Sequence, residues 1–184
     1  MQALLKKYDI LFIADEVICG FGRTGNMWGS ETFDLKPDIL TCAKALSAAY
    51  APISALLINE NIIYEIENQA NELGVFGHGF TYSAHPLSAA VALKTLEIYE
   101  EKNIVNHVKM MEKSFIERVT NLEKYDFVGD TRAIGLIGAI EFVSQPGSNK
   151  KPDPSRKVAA KIQQKIQDEG VILRSLPGDS LAFC

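Results

Sequence analysis

The chain reads as an α/β protein, a mostly parallel sheet with helices, followed by a smaller α+β unit, both portions incomplete. Three observations carry that reading. Apolar runs of strand length lie at 10–14, 38–43 and 53–58, and helix-like segments follow them. From Thr131 the texture changes to short strands close in sequence around one helix, the pattern of an α+β unit. Both ends look cut: Met1–Asp9 resembles a helix tail entering a core strand directly, and Ser180-Leu-Ala-Phe-Cys184 begins a strand without a following turn. The expected division is 1–103 and 104–184.

Ile10-Leu-Phe-Ile-Ala14 is apolar throughout, as in a parallel strand buried on both faces. Residues 19–37, rich in Gly, Asn, Ser and Pro, predict a long loop. Asn61–Leu73 carries Ile62, Ile66 and Leu73 on one side and predicts a helix. Gly74–Ser83 reads as a loop, and Pro86 suits a first helical position. The segment after it, Leu87-Ser-Ala-Ala-Val-Ala-Leu, is small and apolar all round, which predicts a buried helix. A second long helix is expected over 105–123. Ala133–Val143 reads as one strand-like run, Ser155 as the cap of a helix ended by Gly170, and Val171–Arg174 as a short strand.

The bulk numbers exclude several classes. The chain has 184 residues, 47% hydrophobic and 23% charged, as in a globular protein. A net charge of −4, from 19 basic and 23 acidic residues, gives no support for nucleic-acid binding. No apolar run reaches the ~18 residues of a membrane span, and the N-terminus lacks a signal-peptide stretch. Cys19, Cys42 and Cys184 lack metal-ligand spacing and read as reduced and mostly buried, which favours the cytoplasm.

Gly20-Phe-Gly22-Arg-Thr-Gly25 matches the dinucleotide fingerprint, but Asn26-Met-Trp-Gly29 is a poor helix start and five residues separate Ala14 from Gly20. The fingerprint must open a helix directly after the strand. Leu11-Phe-Ile-Ala-Asp15-Glu16 resembles a magnesium-handling ATPase strand, yet no phosphate-cradling G-x-x-x-x-G-K-[ST] loop accompanies it. A third reading takes Asp15 and Lys44 together. Each ends a predicted strand, one loop and one strand apart, where open α/β sheets bind ligands. A strand-end amine and a strand-end carboxylate are what pyridoxal phosphate requires. The amine holds its aldehyde as a Schiff base, and the carboxylate keeps its ring nitrogen protonated.

The pair does not stand alone. Ile13-Ala-Asp15-Glu16-Val17-Ile-Cys-Gly20-Phe-Gly22-Arg23-Thr24-Gly25, then Lys36-Pro37-Asp38-Ile39 and Ala43-Lys44, resemble the signature of class III aminotransferases, fold-type I pyridoxal-phosphate enzymes. Gly77-His-Gly-Phe-Thr81-Tyr-Ser-Ala-His85-Pro86 and Gly170-Val-Ile-Leu-Arg174 with Gly178-Asp179 are similar to further family segments in the same order.

The resemblance implies a carboxyl-side fragment containing the end of the large cofactor domain and a truncated small domain. It implies ping-pong transfer of an amino group from an amine or ω-amino acid to a 2-oxo acid such as pyruvate. Lys44 would be the Schiff-base lysine, Asp15 the partner of the pyridinium nitrogen, and Val17 would pack on the ring face. Thr81 would contact the cofactor phosphate of a neighbouring subunit in a homodimer with shared sites. Arg174 would bind a substrate carboxylate, for which its planar fork is suited. Racemase, mutase or decarboxylase chemistry on the same fold, or a non-catalytic fragment, are the alternatives. The sequence departs from the family at Ala45, Ala48, Ala49 and Ala84, where glycines are common. The added methyl groups are expected only to shift close backbone approaches slightly.

Overall fold

In the computed structural model, which describes residues 1–184, a short helix α1 (Gln2–Lys7) leads into β1 (Ile13–Asp15). The loop after it holds one short helix, α2 (Gly29–Thr32), before β2 (Ile39–Cys42). A single 3-10 turn, Lys44–Leu46, connects β2 to β3 (Ala55–Ile58). The helices α3 (Glu60–Leu73) and α4 (Pro86–Glu101) follow. The chain divides into two units, one formed by Met1–Gly22 with Asn26–Val105, the other by Arg23–Gly25 with Asn106–Cys184.

In the first unit β1 and β2 are parallel, with Asp15 opposite Thr41, while β3 is antiparallel to β2. The sheet is therefore mixed rather than mostly parallel. Asp38 ties its lower end together. One carboxylate oxygen accepts the Phe12 N–H at 2.8 Å and the other accepts the Asn59 side-chain amide at 2.9 Å. Asn59 in turn caps α3, its side-chain oxygen accepting the Ile62 N–H at 3.0 Å, and Gly74 ends that helix in the left-handed conformation with φ 71°.

The unit's core is small: Phe21, Leu40, Cys42, Leu46 and Ala92, backed by Trp28, Leu96 and Tyr99. Two burial expectations are corrected here. Ile13 in β1 remains 57% exposed, and Ile10 and Leu11 are exposed as well. In α4 only Ala92 and Thr95 are buried, while Leu87 and Leu93 face outward. The apolar patterning is present, but no segment of this chain covers those faces.

The second unit begins with α5 (Ile104–Thr120), the helix expected near 105–123, whose last residues pass into a 3-10 turn, Asn121–Lys124. The expected single strand at 133–143 is instead a hairpin, β4 (Val128–Ile134) and β5 (Ile137–Phe142). Gly135 and Leu136 form its two-residue turn, since Ile134 pairs with Ile137. Gly135 has φ 54°, the first-position glycine of a II′ turn. A Cβ there would lie 2.4 Å from the Arg23 carbonyl oxygen, so only glycine fits.

The next helix, α6 (Val158–Asp168), starts later than expected. Ser155 is not its cap: Asp153 caps a preceding 3-10 turn by accepting the Ser155 N–H at 2.9 Å. The side chain of Asp179 accepts the Ala159 N–H at 3.0 Å and so caps α6 from a distant turn. Gly170, with φ 90°, follows the helix end as predicted. The last strands are β6 (Arg174–Leu176), three residues later than read from the sequence, and β7 (Ser180–Phe183). The sheet order is β4-β5-β7-β6, all antiparallel. Phe142 and Leu181, each 1% exposed, centre a core with Val119, Val128, Ile140 and Ala159.

Candidate active site at the carboxyl end of the β1–β2 pair

Successive side chains of a strand point to opposite faces, and this separates the roles of Asp15 and Glu16. Asp15 ends β1 facing solvent, whereas Glu16 turns inward and is 3% exposed. The Glu16 N–H donates to the Thr41 carbonyl at 2.9 Å, extending the ladder one residue past Asp15. Its buried carboxylate accepts the Gly29 and Ser30 N–H groups at 2.8 and 2.5 Å, capping the first turn of α2. Glu16 thus anchors the long loop, and Asp15 is held on a fixed strand end.

The Asp15 carboxylate is oriented too. One oxygen accepts the Val17 N–H at 3.0 Å, and the other makes no hydrogen bond within the chain. Val17 is half-buried beside it. Lys44 opens the 3-10 turn just beyond β2, so it and Asp15 leave the same end of two adjacent parallel strands, which run about 4.8 Å apart. Lys44 is exposed, its ammonium makes no ion pair, and its backbone is left-handed at φ 45°. A non-glycine residue there is strained, a condition that concentrates at functional sites.

Thr81 is exposed in a turn closed by the Ser83 N–H donating to the Phe80 carbonyl at 2.8 Å, and no hydrogen bond joins it to Asp15 or Lys44. Arg174 is the exposed first residue of the edge strand β6 and belongs to the second unit. The structure therefore places Asp15 and Val17 at the end of β1 and Lys44 just past the same end of the adjacent β2. Thr81 sits on a separate loop of the same unit, and Arg174 in the other.

Gly20–Gly25 opens no helix. Phe21, Gly22 and Gly25 have φ of 61°, 99° and 88°, and the loop folds back so that the Phe21 N–H donates to Met27 O at 2.6 Å. The dinucleotide reading fails on that geometry. Arg23 makes no ion pair; it exchanges hydrogen bonds with Leu136, its backbone carbonyl accepting the Leu136 N–H at 2.9 Å. His85 occupies the N-cap position of α4 without a side-chain capping bond.

The alanine substitutions mean more than a methyl group near a backbone. Ala48, Ala49 and Ala84 all have positive φ, of 48°, 64° and 56°, so each Cβ is placed in a conformation that glycine adopts freely. The glycines common at these positions were the available signal. Two anchors of the Lys44 turn escaped the sequence reading altogether: Ser47, whose hydroxyl donates to Ala51 O at 2.6 Å, and Tyr99, whose hydroxyl donates to Ala45 O at 2.6 Å. Neither residue type at its position marks a contact with the Lys44 turn in the sequence: Ser47 lies among alanines, and Tyr99 is 54 residues from the carbonyl it reaches.

Burial pushes the Cys19 thiol up, with Glu16 and Asp15 nearby adding to it, and burial likewise raises Cys42. No group of side chains could hold a metal ion, and no helix is long and apolar enough to cross a membrane. An accessible amine and an oriented carboxylate at one strand end fit a group bearing an aldehyde and a protonated ring nitrogen. Lys44 and Asp15 are the residues that would hold it.

Comparison with known proteins shows the family. Residues 1–183 match the family model for aminotransferase class-III. A gamma aminobutyrate transaminase 3 of Solanum lycopersicum is 45% identical over 181 residues, 98% of this chain and 35% of that protein. The omega transaminase of Pseudomonas jessenii in complex with PMP superposes with TM-score 0.90 at 42% identity, over 100% of this chain and 40% of that one. A PMP-bound aminotransferase from Vibrio fluvialis gives TM-score 0.95 at 36% identity, over 99% and 40%. The chain spans well under half the length of these relatives. The family consists of pyridoxal-phosphate-dependent transferases acting on amine donors and 2-oxo acids. The chain belongs to the class III aminotransferases.

Proposed function

We propose that this chain carries the cofactor-binding core of a transaminase that moves an amino group from an amine or ω-amino acid to a 2-oxo acid such as pyruvate. The observation that supports it most is the shared strand end of Asp15 and Lys44. Pyridoxal phosphate, when bound, supplies an aldehyde that links to amines and a ring that absorbs electrons. Lys44 would hold the cofactor through Nζ. Once free, the same nitrogen would take the proton from the amine-bearing carbon of the substrate, as a general base. The open oxygen of Asp15 would hold the protonated ring nitrogen, and Val17 would support the ring. Thr81 offers its hydroxyl to the phosphate in a neighbouring subunit, and Arg174 pairs with a substrate carboxylate.

An ω-amino acid such as gamma-aminobutyrate is the first donor to assay, given the names of the relatives. We place the protein in the cytoplasm on its three free cysteines, and as part of a homodimer. The chain alone turns over poorly, because its sheet and α4 leave apolar faces uncovered and relatives are much longer. The test assays alanine formation from donor and pyruvate in an enzyme of family length carrying these residues. Lys44→Ala should abolish it, and retained transamination would refute the assignment. Efficient turnover by the 184-residue chain alone would overturn the partial-enzyme reading.

A further inference from the structure

The backbone from Lys44 to Ala49 holds three left-handed non-glycine residues in six positions: Lys44 at φ 45°, Ala48 at 48° and Ala49 at 64°. Such strain persists only when the surroundings over-determine it. The segment's own backbone hydrogen bonds are longer than those that side chains make to it. The Ser47 and Ala49 N–H groups both reach the Lys44 carbonyl, at 3.2 and 3.4 Å, and the Ala48 N–H reaches Ala45 O at 3.3 Å. The Leu46 N–H reaches Ala43 O and the Tyr50 N–H reaches Ser47 O, each at 3.0 Å, and the shortest bonds, at 2.6 Å, come from side chains. Ser47, 2% exposed, closes the turn internally through Ala51 O. Leu46 packs into the core beneath the turn, and Tyr99 supplies the side-chain hydrogen bond from another element: it projects from the last turns of α4, and its hydroxyl donates to Ala45 O at 2.6 Å. The Ala45 carbonyl thereby accepts from both Tyr99 and Ala48, using both lone pairs.

The Tyr99 ring is fixed in its turn. It lies 6.2 Å from the Phe21 ring, which packs at 5.0 Å against Trp28 in a tilted arrangement. The hydroxyl is therefore presented from a packed base formed by α4 and the loop that follows Asp15. We infer that Tyr99 is a positioning residue for Lys44: it holds the residue next to the cofactor-bearing amine and keeps the strained turn in one conformation. This rests on Lys44 being that amine, as proposed above; the pinning of the turn itself does not.

Tyr99→Phe removes the hydroxyl and keeps the ring packing. The control is Thr95→Val, which removes a buried hydroxyl bonded within α4, to Val91 O at 2.9 Å, one turn before Tyr99. Two readouts are made on the full chain: amide hydrogen exchange over Leu46–Tyr50, and loading of Lys44 by pyridoxal phosphate, followed by absorbance and by borohydride trapping. Tyr99→Phe should speed exchange in that turn and weaken loading by about fivefold to tenfold each, the scale of one hydrogen bond. Thr95→Val should change neither. Unchanged exchange in Tyr99→Phe, or equal acceleration in both variants, overturns the inference. A wild-type chain that loads no pyridoxal phosphate on Lys44 would sink the functional assignment instead, and the exchange data would still decide whether Tyr99 holds the turn.

Discussion

The two units of this chain are stabilised by different means. The second closes its own core: Phe142, Leu181 and Ala159 are almost wholly buried beneath an antiparallel sheet packed on α5 and α6. The first buries little and relies on polar pins: Asp38 at the lower end of the sheet, Glu16 in the loop, and Tyr99 and Ser47 on the Lys44 turn. The candidate site belongs to the unit with the thinner core. Its precision comes from hydrogen bonds to strand ends and turns rather than from dense packing around it.

The contrast can be broken most directly in the second core. Phe142→Ala should cost about 3–5 kcal/mol, read from the denaturant midpoint. Ile13→Ala, at an exposed position, should cost less than about 1 kcal/mol. Equal losses from the two would erase the distinction. Glu16→Ala sharpens it from the other side. The variant leaves two buried N–H groups of α2 unpaired, and the loss should be about 2–3 kcal/mol, with faster proteolysis of the loop at 19–37. A loss below that of an ordinary surface substitution would mean that the pin is dispensable.

Smaller effects follow from backbone strain. Ala49→Gly and Ala84→Gly should each raise stability by about 0.5–1 kcal/mol: relief of left-handed strain exceeds the entropy that glycine adds to the unfolded chain. Both side chains are exposed, so no packing is lost. Destabilisation by either change would show that the methyl group has a role of its own.

The smallest effect is electrostatic and belongs to the second unit. Hydrogen bonds from Lys151 and then Arg132 hold the Glu141 carboxyl below its usual range. A carboxylate whose folded pKa is depressed adds stability above its unfolded value, about 4.3, and this is lost as pH falls from there through the folded value. Glu141→Gln should remove that part of the acid sensitivity, by less than about 1 kcal/mol and less again in high salt. A variant with an unchanged acid slope would show that the network contributes nothing.

What could be read beforehand follows the same divide. Strand ends bearing Asp15 and Lys44 were legible because apolar runs stop abruptly at charged residues. The β4–β5 hairpin was not, because Ile134 and Ile137 flank a two-residue turn with no polar punctuation; Gly135 was the only mark. The cap on α6 comes from Asp179, twenty residues from the N–H that it receives, and such pairing has no local signature. Burial was overread in β1 and α4 because an apolar run reports which surfaces avoid water, not what covers them. The left-handed alanines were visible as departures from family glycines, but their cost lies in φ, which sequence does not display.

The central claim, that positions 15 and 44 serve one cofactor, is tested by mapping where pyridoxal phosphate attaches. The chain is incubated with it, reduced with borohydride, digested and quantified lysine by lysine, in parallel with Asp15→Ala. The account predicts label concentrated on Lys44 over exposed lysines such as Lys6 and Lys102, and a fall of about tenfold at Lys44 alone when the carboxylate is removed. Label spread evenly over the surface lysines, or Lys44 labelling indifferent to Asp15, would contradict it.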